Sequence, residues 1–335
     1  MTLTIRPAAP ADLEQITDLL LEDAKARCAH NAGLWKMDSG AGDKTHASLK
    51  AAMEAKAPPF RQQWMVADDG DMLVGVMHTI LLPVPPIYAG EFGPPGLIME
   101  DCFVAPSAPP GTKQGLINAA ETDLIDAGAR ILLASSVDGG PWESAYAAHG
   151  YQPITQYFAK TGLTGERAFE TVRPAHDDDV PSIVAASARH RHILNTLHHL
   201  FWKPHPDADT RFGAWMARSL TLNDRDMFVS NTGGALTGYA ISQPATQLHF
   251  PTLHDISGVG VIDDFYHNAL EDPAKLGESE AQATVLFSAA ESARAHRGDH
   301  SVLVVCPAAW PAKAALLRQM GYDIAITWHI KMMNI

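Results

Sequence analysis

Ile5-Arg6-Pro7-Ala8 returns as Val172-Arg173-Pro174-Ala175, and Trp35-Lys36 returns as Trp202-Lys203, both at a spacing of 167. Farther along, Val66 and Gly75 recur as Val229 and Gly238, and Asp101 as Asp264, at a spacing of 163; Gly150-Tyr151 recurs as Gly321-Tyr322 at 171. Drifts of this size are loop insertions between two copies of one unit. Solenoid repeats run roughly 20 to 50 residues, so a period this long is a duplicated domain. The expected organisation is two tandem domains, 1–163 and 166–335, joined by a linker over 161–167 that holds Gly162 and Gly165. They are expected to be separate folding units of one topology, packed across a large apolar interface.

The 335 residues suffice for two such domains, each long enough to bury its own core. With 46% apolar and 19% charged residues, the balance is that of a globular chain and not a disordered one. Lys plus Arg number 25 against 38 Asp plus Glu, a net charge of −13, and no basic run offsets it, so nucleic-acid binding is not expected. The three cysteines, Cys28, Cys102 and Cys306, lack metal-ligand spacing and suit a reducing cytoplasm. No signal peptide or membrane span is read, and no bound metal is expected.

Hydrophobic periodicity predicts a strand over 3–6, a helix over 11–29 and a helix over 44–55. Two strands follow, 63–67 and 73–82, joined by Asp68-Asp69-Gly70-Asp71 as a hairpin. A strand over 97–104, a Pro- and Gly-rich turn over 105–111, a helix over 112–127, a strand over 130–134, a short helix over 142–149 and a strand over 151–160 complete the first copy. The second copy repeats this order in 171–173, a helix from 177, 227–230, 235–243, 259–267, a helix over 279–296, 301–306, 311–320 and 322–331, with no second helix read between 177 and 227.

That order resembles the GCN5-related N-acetyltransferase (GNAT) family over essentially the whole chain, as a tandem pair. The resemblance implies an α/β fold of the α+β type, a twisted mixed β-sheet flanked by helices in each copy. It also implies acetyl-CoA as co-substrate, slotted where the fourth strand splits from the fifth, with its pyrophosphate on a loop of pattern Q/R-x-x-G-x-G/A at a helix N-terminus. Here 108–113 reads Ala-Pro-Pro-Gly-Thr-Lys; only Gly111 keeps the pattern, and Pro109 and Pro110 cannot donate hydrogen bonds. Lys113 and Gly115 are expected to compensate, with Thr112 in the same turn, and Cys102, Phe103 and Val104 are expected on the strand beside the pantetheine arm. In the second copy Glu278 and Glu280 would oppose a pyrophosphate.

In the family, a tyrosine four residues before a Gly-aromatic pair protonates the departing thiolate. Tyr146 matches it, whereas the second copy has Leu317 there. The resemblance therefore implies chemistry in the first copy, with Tyr146 as general acid, and Glu100, beside Asp101, as the base that an amine nucleophile needs. The implied reaction is direct acetyl transfer to a small primary amine in a ternary complex, the second copy serving as a wall of the acceptor site. Amino acid, polyamine, aminoglycoside and protein N-terminus remain open as acceptors, and so does oligomeric state. The degenerate loops also leave open a protein that binds a CoA thioester or another small ligand without catalysis, as a sensor or scaffold. The Trp-Lys pair, present in both copies, reads as packing; His190, His192, His198, His199 and His205 read as solvated or acceptor-lining; and the Cys102 thiol reads as a small buried apolar group.

Overall fold

Pro7 ends the first strand, and the chain turns at once into a helix that buries Leu13, Ile16, Leu20 and Ala24 along one face. The computed structural model describes residues 3–165, 171–278 and 280–333; the expected linker residues Glu166 and Arg167 lie outside these, as does Ser279. The first copy runs β1 (Thr4–Pro7), α1 (Leu13–His30), α2 (Ala41–Glu54), β2 (Gln62–Asp68), β3 (Leu73–Leu81), β4 (Gly96–Ile98), β5 (Phe103–Val104), α3 (Thr112–Asp126), β6 (Ile131–Val137), α4 (Glu143–Ala148) and β7 (Gln152–Thr161). The second runs β8 (Val172–Pro174), α5 (Val180–Leu197), α6 (Ala208–Ser219), β9 (Asp226–Thr232), β10 (Ala235–Pro244), β11 (Val259–His267), α7 (Glu280–His296), β12 (Ser301–Pro307), α8 (Pro311–Gln319) and β13 (Asp323–Met332). The hairpin expected at Asp68–Asp71 forms, with Gly70 at φ +100° and its amide donating to Asp68 Oδ1 at 2.9 Å.

Among the described residues all strands belong to one sheet, ordered β1-β2-β3-β4-β6-β13-β7-β12-β11-β10-β9-β8, with β5 also on β3. The last strand of each copy has crossed into the other: β13 pairs with β6, and β7 pairs with β12. In the middle, β7 and β13 lie antiparallel, Tyr157 opposite Ile326, Gln156 opposite Thr327 and Thr155 opposite Trp328. Because Gln156 and Thr327 are themselves equivalent by the 171-residue spacing, a pseudo-two-fold axis passes between them. The expectation of self-contained folding units is corrected here, since neither copy's sheet is complete without a strand of the other. One apolar core accordingly runs through both copies, joining Leu97, Leu133 and Phe158 to Val261, Leu303 and Trp328.

The exchange is fixed by side chains repeated in both copies. Lys160 of β7 donates to Glu291 of α7 at 2.8 Å, and Lys331 of β13 donates to Glu121 of α3 at 2.8 Å. The Trp-Lys pairs belong to the same embrace. The Asp255 amide donates to the Lys36 carbonyl, and Lys36 Nζ lies 2.8 Å from Asp255. Reciprocally, the Ala89 amide donates to the Lys203 carbonyl, and Lys203 pairs with Glu91. Packing was the right reading of these repeats, and what they pack on is the opposite copy.

Candidate functional site

In the first copy β4 and β6 run parallel from Gly96 opposite Leu132 to Ile98 opposite Ala134, then part. The strand expected over 97–104 is broken at that point: four residues, 99–102, bulge out before β5 rejoins β3, with Val76 opposite Phe103. Glu100 and Asp101 sit on the bulge. Both Glu100 carboxylate oxygens are buried without a partner, as are Ser135 Oγ on β6 and the Tyr146 hydroxyl on α4. Burial, with some help from Asp101 and against the pull of Arg27, pushes the Glu100 carboxyl up to about 7. Burial holds the Tyr146 phenol well above its ordinary value, and the thiol of Cys102 and the carboxyl of Glu100 are near enough to raise it further.

Around this group, Arg27 of α1 donates to the Glu100 carbonyl and to Asp23, and His78 Nδ1 lies 3.0 Å from both oxygens of Asp101 while its ring stacks on Trp64. The divergence itself is bridged from within the chain. Trp142, just ahead of α4, donates its indole N–H to the Cys102 carbonyl at 2.9 Å and stacks on Tyr146. The Cys102 thiol is turned inward and donates to the Met99 carbonyl, in keeping with its reading as a buried apolar group. Phe103 and Val104 use one edge on β3 and leave the other toward the divergence.

The loop before α3 closes as a tight turn onto the helix. Gly111 is the residue ahead of the helix, at φ +87°, and the first-turn amides point out of the helix end as at any helix start. The Lys113 ammonium donates to the Pro141 carbonyl at 2.7 Å and lies over the Trp142 ring, so it stands at the mouth of the divergence. Two expectations need correction. Thr112 is buried with its hydroxyl donated to the Pro109 carbonyl, so it closes the turn and does not face outward. Gly115 faces the sheet, because a Cβ there would come within 2.3 Å of Ile5; the helix packs close and the glycine allows it.

The second copy repeats the architecture with different contents. β11 and β12 part after Ile262 opposite Val304, and Asp263, equivalent to Glu100, is the residue skipped in the register with β10. Burial, helped by neighbouring Asp264, pushes Asp263 up to about 7. Lys313, equivalent to Trp142 by the 171-residue spacing, donates to the Phe265 carbonyl at 3.3 Å, the counterpart of the Cys102 carbonyl. Beside this divergence is a cavity of about 460 Å³, lined by α5, α6, β11 and β12 and by residues 85–88 of the first copy. His190 lines it, its Nδ1 3.1 Å from Asp264 Oδ1, a carboxylate that also accepts from the Tyr239 hydroxyl. Burial lowers the affinity of His190 for a proton. The sequence placed His190 among acceptor-lining histidines but gave no sign of Asp264 as its partner, which lies 74 residues away.

With this geometry in view, the comparisons are clear about fold. A GCN5-related N-acetyltransferase from Sphaerobacter thermophilus superposes with a TM-score of 0.57 at 15% identity, over 98% of this chain and 95% of its own. A tandem GNAT protein from the clavulanic acid biosynthesis pathway superposes with a TM-score of 0.50 at 16% identity, over 100% of this chain and 99% of its own. A GCN5-related glucosamine N-acetyltransferase region of a fungal multi-domain GH3 beta-N-acetylglucosaminidase gives 0.57 at 14% identity, over 98% of this chain and 38% of that one. No protein-family model and no curated protein matches the sequence. The chain therefore has the tandem GNAT fold, two GNAT-like domains in one mixed sheet. No helix among the described residues is long and apolar enough to cross a membrane.

Proposed function

We propose that the chain is an acyl-CoA-dependent N-acyltransferase that transfers acetyl to a small primary amine in the first copy. The observation that carries this reading is the buried Glu100 carboxyl and the buried, unpartnered Tyr146 hydroxyl where β4 and β6 part, with the Ser135 hydroxyl close enough to Glu100 to favour its charged form. Buried polar groups are almost always fully paired, so a carboxyl and a phenol left short together mark a place where something else supplies the partners. Glu100, near 7, holds a carboxylate suited to taking a proton from an amine at neutral pH. The Tyr146 phenol, kept protonated by burial, holds a proton for a leaving thiolate.

The residues present suit an acyl-CoA at both ends: Gly111 and Lys113 for a diphosphate, the unpartnered oxygens for the reacting groups. Bound there, the cofactor would supply an activated acyl thioester. The pantetheine arm would lie along Phe103 and Val104, beside the Cys102 carbonyl that Trp142 bonds, so the Trp142 ring would have to make room for it. That bridge, with Pro109 and Pro110 in the loop, supports the second reading, a protein that binds a CoA thioester weakly or another small ligand, without catalysis.

The test is thiol release from acetyl-CoA across a panel of primary amines, beside a thermal shift with acetyl-CoA and with CoA. Amine-dependent release that Tyr146→Phe removes supports transfer. Equal stabilisation by both ligands with no release for any amine favours binding alone.

A further inference from the structure

Of the chain's lysines Lys313 alone is buried, at 2% exposed, and no carboxylate among the described residues lies within ion-pair distance of it. Lysines are almost never buried without such a partner. Its Nζ donates to the Phe265 carbonyl at 3.3 Å and lies over the rings of Phe265 and Trp310, 5.6 and 5.7 Å from their centroids. Burial pushes its pKa down, against a weaker pull from Cys306 and Asp264. A neutral amine can donate one N–H to the carbonyl and still keep a lone pair, which makes a desolvated lysine a nucleophile. Beside it stands a base with a free acceptor. Lys313 and His190 both line the second-copy cavity, and Lys313 is near enough for its charge to disfavour a proton on His190. With Nδ1–H donated to Asp264 at 3.1 Å, the buried Nε2 of a neutral His190 is an acceptor without a partner. Amine, base and orienting carboxylate follow one another as in an activated nucleophile. The lining also holds the guanidiniums of Arg191 and Arg211, while Asp263 keeps its proton up to about 7, so the cavity suits an anionic group on an aromatic body against Trp202 and Phe212.

We propose that Lys313 is a covalent site, at which an aldehyde or ketone on an aromatic body bearing an acidic group is held as an imine. The Nζ lone pair adds to the carbonyl carbon and the C=O π pair passes to oxygen. His190 Nε2 takes a proton from the nitrogen and returns it to that oxygen, giving a carbinolamine. The nitrogen lone pair then closes the C=N bond as the C–O bond breaks, and the hydroxyl leaves as water with the second amine proton, passed through His190. Amine and carbonyl become imine and water, and nothing is oxidised or reduced. Trp142 occupies the equivalent position in the first copy, so this nucleophile is peculiar to the second and independent of the transfer proposed for the first.

Mass spectrometry of the full chain treated at pH 7 with 4-carboxybenzaldehyde and cyanoborohydride, which fixes an imine as a secondary amine, tests it. One carboxybenzyl group per chain should form, mapped to Lys313, at least about tenfold faster than on any exposed lysine, whose amine stays protonated. Benzaldehyde, which lacks the anion, should label at least about tenfold more slowly. Lys313→Arg and Lys313→Met, checked for fold by circular dichroism and melting, should each lose the adduct. His190→Gln should slow it about 10²-fold, the lower range for a placed base. Five outcomes overturn the proposal: no adduct, label spread over the exposed lysines at like rates, an adduct that survives in both Lys313 variants, equal rates for benzaldehyde, or His190→Gln labelled as fast as the parent.

Discussion

Glu100 and Asp263 occupy equivalent places in two bulges, and burial raises both carboxyls to about 7. A buried acid with a raised pKa binds its proton more tightly when folded. Its stabilising contribution is full below the unfolded value of 4.5 and is lost as pH rises through about 7. Glu100→Gln removes the group that must ionise, so it should melt higher than the parent at pH 8 and about the same at pH 4.5. The gap between the two values is worth on the order of 3 kcal/mol. Activity should move the other way. The parent's turnover should rise with pH along a limb near 7, and Glu100→Gln should lose that limb together with about 10²-fold in rate. A variant that keeps both limb and rate removes Glu100 as base. Tyr146→Phe deletes a buried hydroxyl that has no partner, so folding should be unimpaired while turnover falls about 10²-fold at constant acetyl-CoA affinity. Unchanged turnover, with chemistry rate-limiting, returns Tyr146 to packing against Trp142 and Tyr151.

At the scale of elements, the two copies close their strand divergences by the same device, a side chain from ahead of or within the following helix reaching the bulged strand: Trp142 to Cys102, Lys313 to Phe265. Trp142→Phe keeps a ring in the gap and removes the N–H. One hydrogen bond is worth about 1 kcal/mol, so acetyl-CoA, for which that ring has to make room, should bind about fivefold tighter by calorimetry. Weaker binding would mean that Trp142 supports the cofactor instead of displacing it. The bulge also shows where sequence reading stopped. Residues 97–104 scan as one strand because every interior side chain but Glu100 and Asp101 is apolar, and alternation cannot reveal that 99–102 swell out of register. Helix α6 went unread because the charged residues Asp207, Asp209, Arg211 and Arg218 mask Phe212 and Met216, its buried stripe. Tyr146, Glu100 and Gly111 were singled out through the family resemblance, by their places ahead of Gly150-Tyr151, on the fourth strand and in the loop before α3, and not by any pattern of their own. Gly115 was misread because its role is set by Ile5, which lies 110 residues away.

Across the whole molecule, the repeat was legible and the strand exchange was not. β7 and β13 are both ten-residue strands with an equivalent lysine near the end, and nothing in either local sequence says whether it pairs in its own copy or in the other. The choice shows only in three dimensions, where Lys160 meets Glu291 and Lys331 meets Glu121, pairs in which each glutamate is well buried. Lys331→Glu sets two carboxylates against each other in this part-buried pair, so it should lower the melting temperature, and adding Glu121→Lys should restore part of the loss. The exchange makes a stronger prediction about connectivity. If a protease site is inserted between Gly165 and Thr171 and cut, the two pieces should stay together, since each holds a central strand of the other's sheet. Size exclusion should show a single species near the intact 36.1 kDa, and denaturant should be needed to part the fragments. Separation into two folded halves under native conditions would mean that β7 and β13 return to their own copies once freed. The pseudo-two-fold sheet would then be held by the tether and not by its pairing.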